Sequence, residues 1–147
     1  METKPCPFCE IAAGRSDQEI VYAGNGLVAF LCEPPATWGH TLIVPSTHKQ
    51  DIWSIEPDEA ASVMSLARRL AHAMRDELGA TGVNLRQNSG GVAGQDVFHF
   101  HLHVVPRYEG DTVQPGCVWG MPPWQPPTGG DAERHRVAEA LRSALAD

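Results

Sequence analysis

The chain has 147 residues, of which 42% are hydrophobic and 20% charged, with a formal net charge of −7. These values are typical of a single globular domain over residues 1–147. They exclude the extended basic surface that long nucleic acid requires, although a small phosphorylated ligand stays compatible with an acidic protein. No apolar run approaches a membrane span, and the N-terminal residues lack a secretory signal, so we expect a cytoplasmic protein without membrane association.

The chain begins with the motif Cys6-Pro-Phe-Cys9. In the reducing cytoplasm such a pair is a zinc half-site, a thiol redox motif or a chance occurrence. A redox motif normally follows a strand, and only five residues precede Cys6. A zinc site would need two further ligands from elsewhere in the chain.

Three strands are predicted in the first third of the chain. Ile20–Ala23 and Leu27–Leu31 are joined by an Asn-Gly turn, which is a strong hairpin signal. His40–Pro45 is the third strand and follows a proline-rich loop. His48 lies in the turn beyond it.

A change to helical periodicity occurs over Pro57–Leu78, with Gly79 placed as a C-cap. A fourth strand is predicted over Val83–Gln87 and a short closing helix over Asp131–Ala146. The predicted buried face of the long helix contains Ala60, Val63, Met64, Ala67, Leu70, Ala71, Met74 and Leu78.

Three histidines, His99, His101 and His103, alternate with large apolar residues in the segment Gln95–Arg107. This period of two predicts a strand with one imidazole face. At roughly 3.3 Å per residue the outer pair lies about 13 Å apart, too far for all three to bind one metal ion. A lone histidine is often an ordinary core residue, but three in register each need a polar partner. We therefore expect a polar substrate against this face.

The preceding loop, Asn88–Gly94, is rich in glycine. Such loops let backbone N–H groups approach an anion closely, although a plain hairpin loop has the same composition. The sequence contains no recognisable serine or cysteine nucleophile elbow. A neutral imidazole attacks phosphorus readily, and a second histidine can fix its tautomer. These features favour phosphoryl or nucleotidyl transfer through histidine.

The pattern Gln95-x-x-x-His99-x-His101-x-His103 resembles the signature of the histidine triad (HIT) superfamily of nucleotide hydrolases and transferases. The segment Gly39–His48, the spacing from Asn88 to Gln95, and the cysteine pair are similar to its zinc-containing bacterial branch. The resemblance covers about residues 5–110, and residues 111–147 match poorly. It implies an α+β, HIT-like fold, with a five-stranded antiparallel sheet, one long helix packed on it and a short C-terminal helix.

The resemblance also implies residue roles. His101 would attack the α-phosphate of a purine nucleotide, either a nucleoside phosphoramidate or a dinucleoside polyphosphate, through a covalent nucleotidyl-histidine. His103 and His40 would orient the nucleophile, and Gln95 would contact the phosphate or the departing atom. The substrate-binding residues would be Asn88, Gly94, Gln95, His103 and Cys32.

Two further implications concern zinc and oligomeric state. In zinc-bearing relatives the ligand positions correspond here to Cys6, Cys9, His48 and His99, a set that suits a closed, structural, tetrahedral site. The resemblance also implies a homodimer in which the long helix and a sheet edge pair across a two-fold axis.

Three features depart from the family pattern. Cys32 stands where many relatives have Asp or Asn at the ribose, and Glu33 would point the other way along a strand. Asp96 replaces a hydroxyl residue that can donate to the leaving group. Trp119 and Trp124 in the tail either close the pocket or are simply packed.

Two alternatives to the enzyme remain open. One is a nucleotide-binding scaffold or regulatory protein with little turnover, which Cys32 and Asp96 favour. The other is a metal-handling histidine strand, which would hold more than one metal ion per chain.

Overall fold

The structure is a computed structural model and describes residues 5–111 and 127–146. Trp119 and Trp124 lie outside the described residues, so their predicted roles stay untested. The helices are α1 (Pro7–Ala12), α2 (Pro57–Leu78) and α3 (Gly130–Leu145), and a 3₁₀ turn spans Gly91–Ala93. The strands are β1 (Ile20–Gly24), β2 (Leu27–Leu31), β3 (Thr41–Pro45), β4 (Gly82–Arg86) and β5 (Leu102–Arg107).

The five strands form one antiparallel sheet in the order β1-β2-β3-β5-β4. α2 is inserted between β3 and β4 and packs on one face of the sheet together with α3. The predicted α+β architecture is therefore confirmed. None of the described helices is long and apolar enough to cross a bilayer.

The two faces of the sheet bury different partners, because successive side chains of a strand point to opposite sides. Ala29 and Ile43 pack toward α2 and α3. Val28 and Phe30 on β2 pack instead against Phe8 of the short helix α1. Of the described helices only the six-residue α1 packs on this second face, which carries the candidate site.

The Asn-Gly hairpin is confirmed. Asn25 and Gly26 both have positive φ, at 55° and 74°, as a type I′ turn requires. The turn pairs Gly24 with Leu27 and fixes the register of β1 on β2.

The long helix is confirmed, but two residues of its predicted buried face, Ala60 and Met64, are exposed. α2 begins with a reciprocal capping box between Glu56 and Glu59 and ends at Gly79 in the left-handed conformation. Met64 was predicted to be buried, but it is 55% exposed. The buried stripe lies on the adjacent side of the helix and consists of Val63, Leu66, Ala67, Leu70, Ala73 and Met74.

The predicted histidine strand is shorter than its alternating pattern suggests. β5 begins at Leu102, so only His103 lies in the sheet, and His99 and His101 precede it. β3 pairs with β5 over only three residue pairs, from Thr41 to Ile43. Before Leu102 the backbone leaves the ladder, and the Phe100 N–H donates to the Lys49 carbonyl at 2.6 Å instead. The three imidazoles therefore do not form a uniform row on one strand.

The entry into β3 depends on a glycine. Gly39 has a φ of 101°, and a Cβ atom there would lie 2.8 Å from Leu78 Cδ1 and 3.0 Å from Pro106 Cγ. Larger residues are excluded by both conformation and space. This close approach brings the neighbouring His40 fully beneath the surface.

Candidate functional site

A cavity of about 250 Å³ opens on the α1 face of the sheet. One part of its wall is apolar and includes Phe8, Ile11, Phe30 and Leu42. The polar part comprises Gln18, Cys32, Glu33, Asp96, His101 and His103. The combination of an apolar surface and a few converging polar groups is typical of a small-molecule site.

The hydrogen bonding of His101 fixes its tautomer. Its Nδ1 lies 2.8 Å from the carbonyl oxygen of His99, which can only accept, so Nδ1 carries the proton. Nε2 is then an unprotonated nitrogen with its lone pair available. The His101 ring is held edge-on to Phe8, with 5.0 Å between ring centroids. This arrangement presents the Nε2 lone pair to the cavity in a fixed orientation.

Burial keeps the His101 imidazole neutral. Desolvation lowers its pKa, and this effect outweighs the hydrogen bond that Nδ1–H donates to the His99 carbonyl and the nearby Asp96 carboxylate, which both act to raise the pKa. Asp96 Oδ1 lies 3.8 Å from His101 Nε2. An unprotonated Nε2 at neutral pH is the form that can attack an electrophile.

His40 and His103 form a hydrogen-bonded imidazole pair beside His101. The Ala36 N–H donates to His40 Nδ1 at 3.0 Å, so the proton of neutral His40 lies on Nε2. That Nε2–H points at His103 Nδ1, 2.9 Å away, which leaves the proton of neutral His103 on its own Nε2. The His101 and His103 rings are edge to face, with centroids 5.2 Å apart. One backbone N–H thus sets the tautomers of two histidines.

Both supporting histidines strongly resist protonation. Burial lowers the pKa of His40 to about 3. Burial, followed by repulsion from His40, His101 and Arg86, lowers the pKa of His103 to about 2. These groups are neutral across the physiological range, so they act as hydrogen-bond donors and acceptors of fixed direction.

A cluster of two thiols and two imidazoles lies beside His101. The ligand atoms of Cys6, Cys9, His48 and His99 all lie within 4.8 Å of one another. His99 Nδ1 is 3.4 Å from Cys6 Sγ and 3.5 Å from Cys9 Sγ, and His48 Nδ1 is 3.4 Å from Cys9 Sγ. Tetrahedral zinc with its usual bond lengths places sulfur and nitrogen ligands roughly 3.5 Å apart. The four predicted ligands therefore come together in a geometry that fits zinc.

The orientation of His99 also suits a metal ligand. Its Nε2 lies 2.9 Å from the Pro45 carbonyl oxygen and donates to it, which directs the Nδ1 lone pair into the cluster. Burial lowers the pKa of His99, and this favours the neutral imidazole that binds metals. The same residue offers its backbone carbonyl to His101.

A second group of potential ligands, Cys32, His40 and His103, is a poorer metal site. Its ligand atoms also lie within 4.8 Å of one another. Burial, with Glu33 and Asp96 nearby, raises the pKa of the Cys32 thiol to about 12, so the thiolate that binds metals is disfavoured. The ring nitrogens between His40 and His103 are already joined by a hydrogen bond. This group fits an active-site wall better than a metal centre.

Gln95, predicted to contact the phosphate, is buried and engaged by backbone groups. Its Nε2 donates to the carbonyls of Gln50 at 2.7 Å and Val97 at 3.1 Å. Its Oε1 accepts from the Gly90 N–H at 2.8 Å. In this structure the side chain holds the glycine-rich loop against the 46–50 segment.

Asn88 and Gly94, also predicted to bind substrate, lie in that loop and not in the cavity wall. The Asn88 Nδ2 donates to the Gly94 carbonyl at 3.4 Å. Gly90 and Gly94 have φ values of 92° and 95°, which explains the glycines there. Their contact with a substrate stays a prediction.

Glu33 was expected to point away from Cys32, and the structure corrects this expectation. Both residues line the cavity, because β2 ends at Leu31 and strand alternation no longer applies. The Glu33 carboxylate accepts from Arg134 of α3 at 3.0 Å. This pair spans about a hundred residues of sequence, so no local pattern indicates it.

Comparisons with known proteins agree with the fold described above. A model of the HIT domain matches residues 13–110. The Bacillus subtilis protein named Protein hit is 39% identical over 115 residues, 78% of each chain. The Adenylylsulfatase HINT3 of Arabidopsis thaliana is 32% identical over 114 residues, 78% of this chain and 55% of that protein. A Zn-bound histidine triad family protein from Mycobacterium smegmatis, known from a crystal structure, is 35% identical with a TM-score of 0.78, covering 95% of this chain and 92% of that one.

The lowered pKa of His40 predicts that the folded protein loses stability at acidic pH. The unfolded chain binds a proton at this residue below about pH 6.5, whereas the folded protein does not until about pH 3. The contribution of His40 to stability is therefore complete above pH 6.5 and decreases as the pH falls toward 3. His40→Asn keeps an acceptor for the Ala36 N–H but removes this titrating group. At pH 5 the variant should therefore take up about one proton fewer on unfolding than the parent, whereas at pH 7.5 the two should take up nearly equal numbers.

The measurement is urea unfolding at several pH values, with metal content held equal. Val44→Ala is the matched control, since it removes buried volume without removing a titrating group. Its loss of stability should be independent of pH. An unchanged pH slope in His40→Asn would show that His40 is not kept neutral by the fold.

Proposed function

Because the chain belongs to the HIT domain family, we propose that it is a nucleotide hydrolase or nucleotidyl transferase with His101 as its nucleophile. One observation carries this proposal: His101 donates its Nδ1 proton to the His99 carbonyl and presents an unprotonated Nε2 to the cavity. The name of the Arabidopsis thaliana relative, adenylylsulfatase, supports an adenylyl group in the substrate. The substrate class is a nucleoside phosphoramidate or a dinucleoside polyphosphate.

The reaction has two displacements. The Nε2 lone pair forms a bond to the α-phosphorus, and the bond from phosphorus to the departing nitrogen or oxygen breaks with its electron pair. A departing amine takes up a proton from solvent. Water then adds its oxygen to phosphorus and releases its proton, and the electrons of the N–P bond return to Nε2. The products are the nucleoside monophosphate and a neutral His101.

The surrounding groups stabilise charge along this path. The covalent intermediate leaves the His101 ring cationic, and the His99 carbonyl that accepts from Nδ1–H lies where that charge develops. His103 holds a proton on Nε2 through its bond to His40, so it can donate to a phosphoryl oxygen. The Ala36 N–H, which donates to His40 Nδ1, keeps the direction of this hydrogen bond fixed.

We also propose that Cys6, Cys9, His48 and His99 bind one structural zinc ion. The Zn-bound relative from Mycobacterium smegmatis supports the identity of the metal. A bound ion would hold the N-terminal segment against the sheet and fix the backbone around His99. All four donors are protein side chains, so the coordination would be closed to substrate.

A nucleotide-binding scaffold is the second candidate, and the Asp96 carboxylate favours it. A negative charge 3.8 Å from the attacking nitrogen opposes the approach of an anionic phosphate. Such a protein would bind a nucleotide without useful turnover. The cytoplasmic location expected from the sequence stays a prediction.

Finally, we propose a homodimer that pairs through β4. This strand forms one edge of the sheet, and its residues Val83 and Leu85 are 40% and 44% exposed. An exposed apolar edge strand favours pairing with another chain.

The first prediction from these proposals concerns the nucleophile. His101→Ala should lower kcat/KM for an adenosine phosphoramidate by at least about 10³-fold, because it removes the nitrogen that would attack phosphorus. His72→Ala, on the outer side of α2, is the matched control and should keep full activity. Circular dichroism shows whether the fold persists. Turnover in folded His101→Ala at the parent rate would contradict the assignment of His101 as the nucleophile.

The second prediction concerns zinc. The purified chain should contain one zinc per chain by elemental analysis, and Cys9→Ser should lose it and melt at a lower temperature. Cys32→Ser is the matched cysteine control and should retain the metal. Two tightly bound ions, or full zinc in Cys9→Ser, would contradict the assigned ligands.

The third prediction concerns the sheet edge. Light scattering should give the mass of two chains for the parent and of one chain for Leu85→Lys, because a buried charge opposes edge pairing. Ala23→Lys places the same charge on β1, the opposite edge, where the residue is exposed. That control should stay dimeric. A monomeric parent would rule the dimer out.

A further inference from the structure

The cavity contains a negative charge close to the attack position. Its wall includes two carboxylates, Glu33 and Asp96, and among the described residues it includes no lysine or arginine. This balance is unusual for a site that receives a phosphate, because each anionic oxygen of the ligand is repelled by the carboxylates. The two acids are not equivalent.

Glu33 is compensated. Its carboxylate lies 3.0 Å from Arg134 of α3, whose guanidinium also contacts Asp131 at 3.2 Å. The pair contributes little net charge to the cavity. Glu33 therefore serves as a wall residue that is anchored from the C-terminal helix.

Asp96 is placed differently. Its Oδ1 accepts from the Val97 N–H at 3.0 Å, and the same oxygen lies 3.8 Å from His101 Nε2. The partner within this distance is the His101 ring nitrogen that carries the lone pair. The carboxylate thus faces the space that the phosphorus and its departing group must occupy, with a fixed oxygen and with half of its side chain open to solvent.

We propose that Asp96 selects substrates by the charge of the leaving group, favouring an amine that carries an additional cation over one that carries an anion. This inference rests on the proposed function and narrows its substrate class to phosphoramidates of cationic amines. A positive group on the leaving amine offsets the Asp96 charge next to the phosphate. A polyphosphate leaving group adds negative charges at the same place and is rejected.

Asp96 acts here as a specificity-determining residue and takes no part in bond making. In the first displacement the Nε2–P bond forms and the P–N bond breaks. The departing nitrogen keeps the bonding electrons and takes one proton from solvent to leave as the free amine. The Asp96 carboxylate exchanges no proton and forms no bond in this step, so its effect is electrostatic.

Three adenosine 5′-phosphoramidates test the proposal. Their leaving amines have the same chain length and differ only in the terminal group, which is methyl, ammonium or carboxylate. For the parent protein kcat/KM should decrease in the order ammonium, methyl, carboxylate. The ratio of kcat/KM between the ammonium and the carboxylate compound, called the span below, should be about tenfold or larger. The span should shrink as salt is added, because half-exposed charges are screened.

Asp96→Asn is the decisive variant, since it keeps an oxygen for the Val97 N–H and removes the charge. It should reduce the span to about threefold or less. Glu109→Gln removes an equal charge beyond the far end of β5 and should leave the span unchanged. Equal rates for all three compounds, or an unchanged span in Asp96→Asn, would overturn the selection by Asp96.

Binding measurements separate this inference from the proposed function. Dissociation constants of the three compounds for His101→Ala, and for the double variant with Asp96→Asn, can be obtained by calorimetry without turnover. If the parent hydrolyses none of the compounds, the proposed function fails, and the order of these constants still decides whether Asp96 selects by charge. An order that does not depend on Asp96 overturns the selection even if hydrolysis is fast.

Discussion

The site depends on the requirement that every buried imidazole ring have a polar partner. In a low-dielectric setting these partners decide where each proton lies, and the four histidines at the site, His40, His99, His101 and His103, receive four different environments. His99 faces thiols, and His101 presents a lone pair to the cavity. His40 accepts a hydrogen bond from the Ala36 N–H and donates one to His103, so the backbone N–H sets the direction of both bonds. The division of roles follows from acceptors and donors on the backbone, since the side chains themselves are identical.

Much of this arrangement is accessible from the sequence. The Asn-Gly hairpin, the capped helix α2 and the grouping of two cysteines with His48 and His99 all follow local patterns or the family resemblance, and the structure contains them. These features are encoded by neighbouring residues or by side-chain chemistry. Residues far apart in sequence need only the correct fold to meet.

Other features depend on three-dimensional competition. The alternation from Phe98 to Val104 suggests a continuous strand, but β3 is too short to pair with all of it, and the chain turns to Lys49 instead. Glu33 faces the cavity because β2 has already ended, and its ion pair with Arg134 joins distant segments. Sequence periodicity describes which side chains share a face only while the strand persists.

The short helix α1 has a consequence for how the cavity opens. Six residues are too few for a stable isolated helix, so α1 is held by tertiary contacts of Phe8 and Ile11 and by the thiol–imidazole cluster. Such a segment can unfold locally at a lower free energy than the sheet beneath it. One wall of the cavity and its floor therefore belong to different cooperative units. Amide exchange in α1 would report opening of the binding site while the core amides report unfolding of the whole domain.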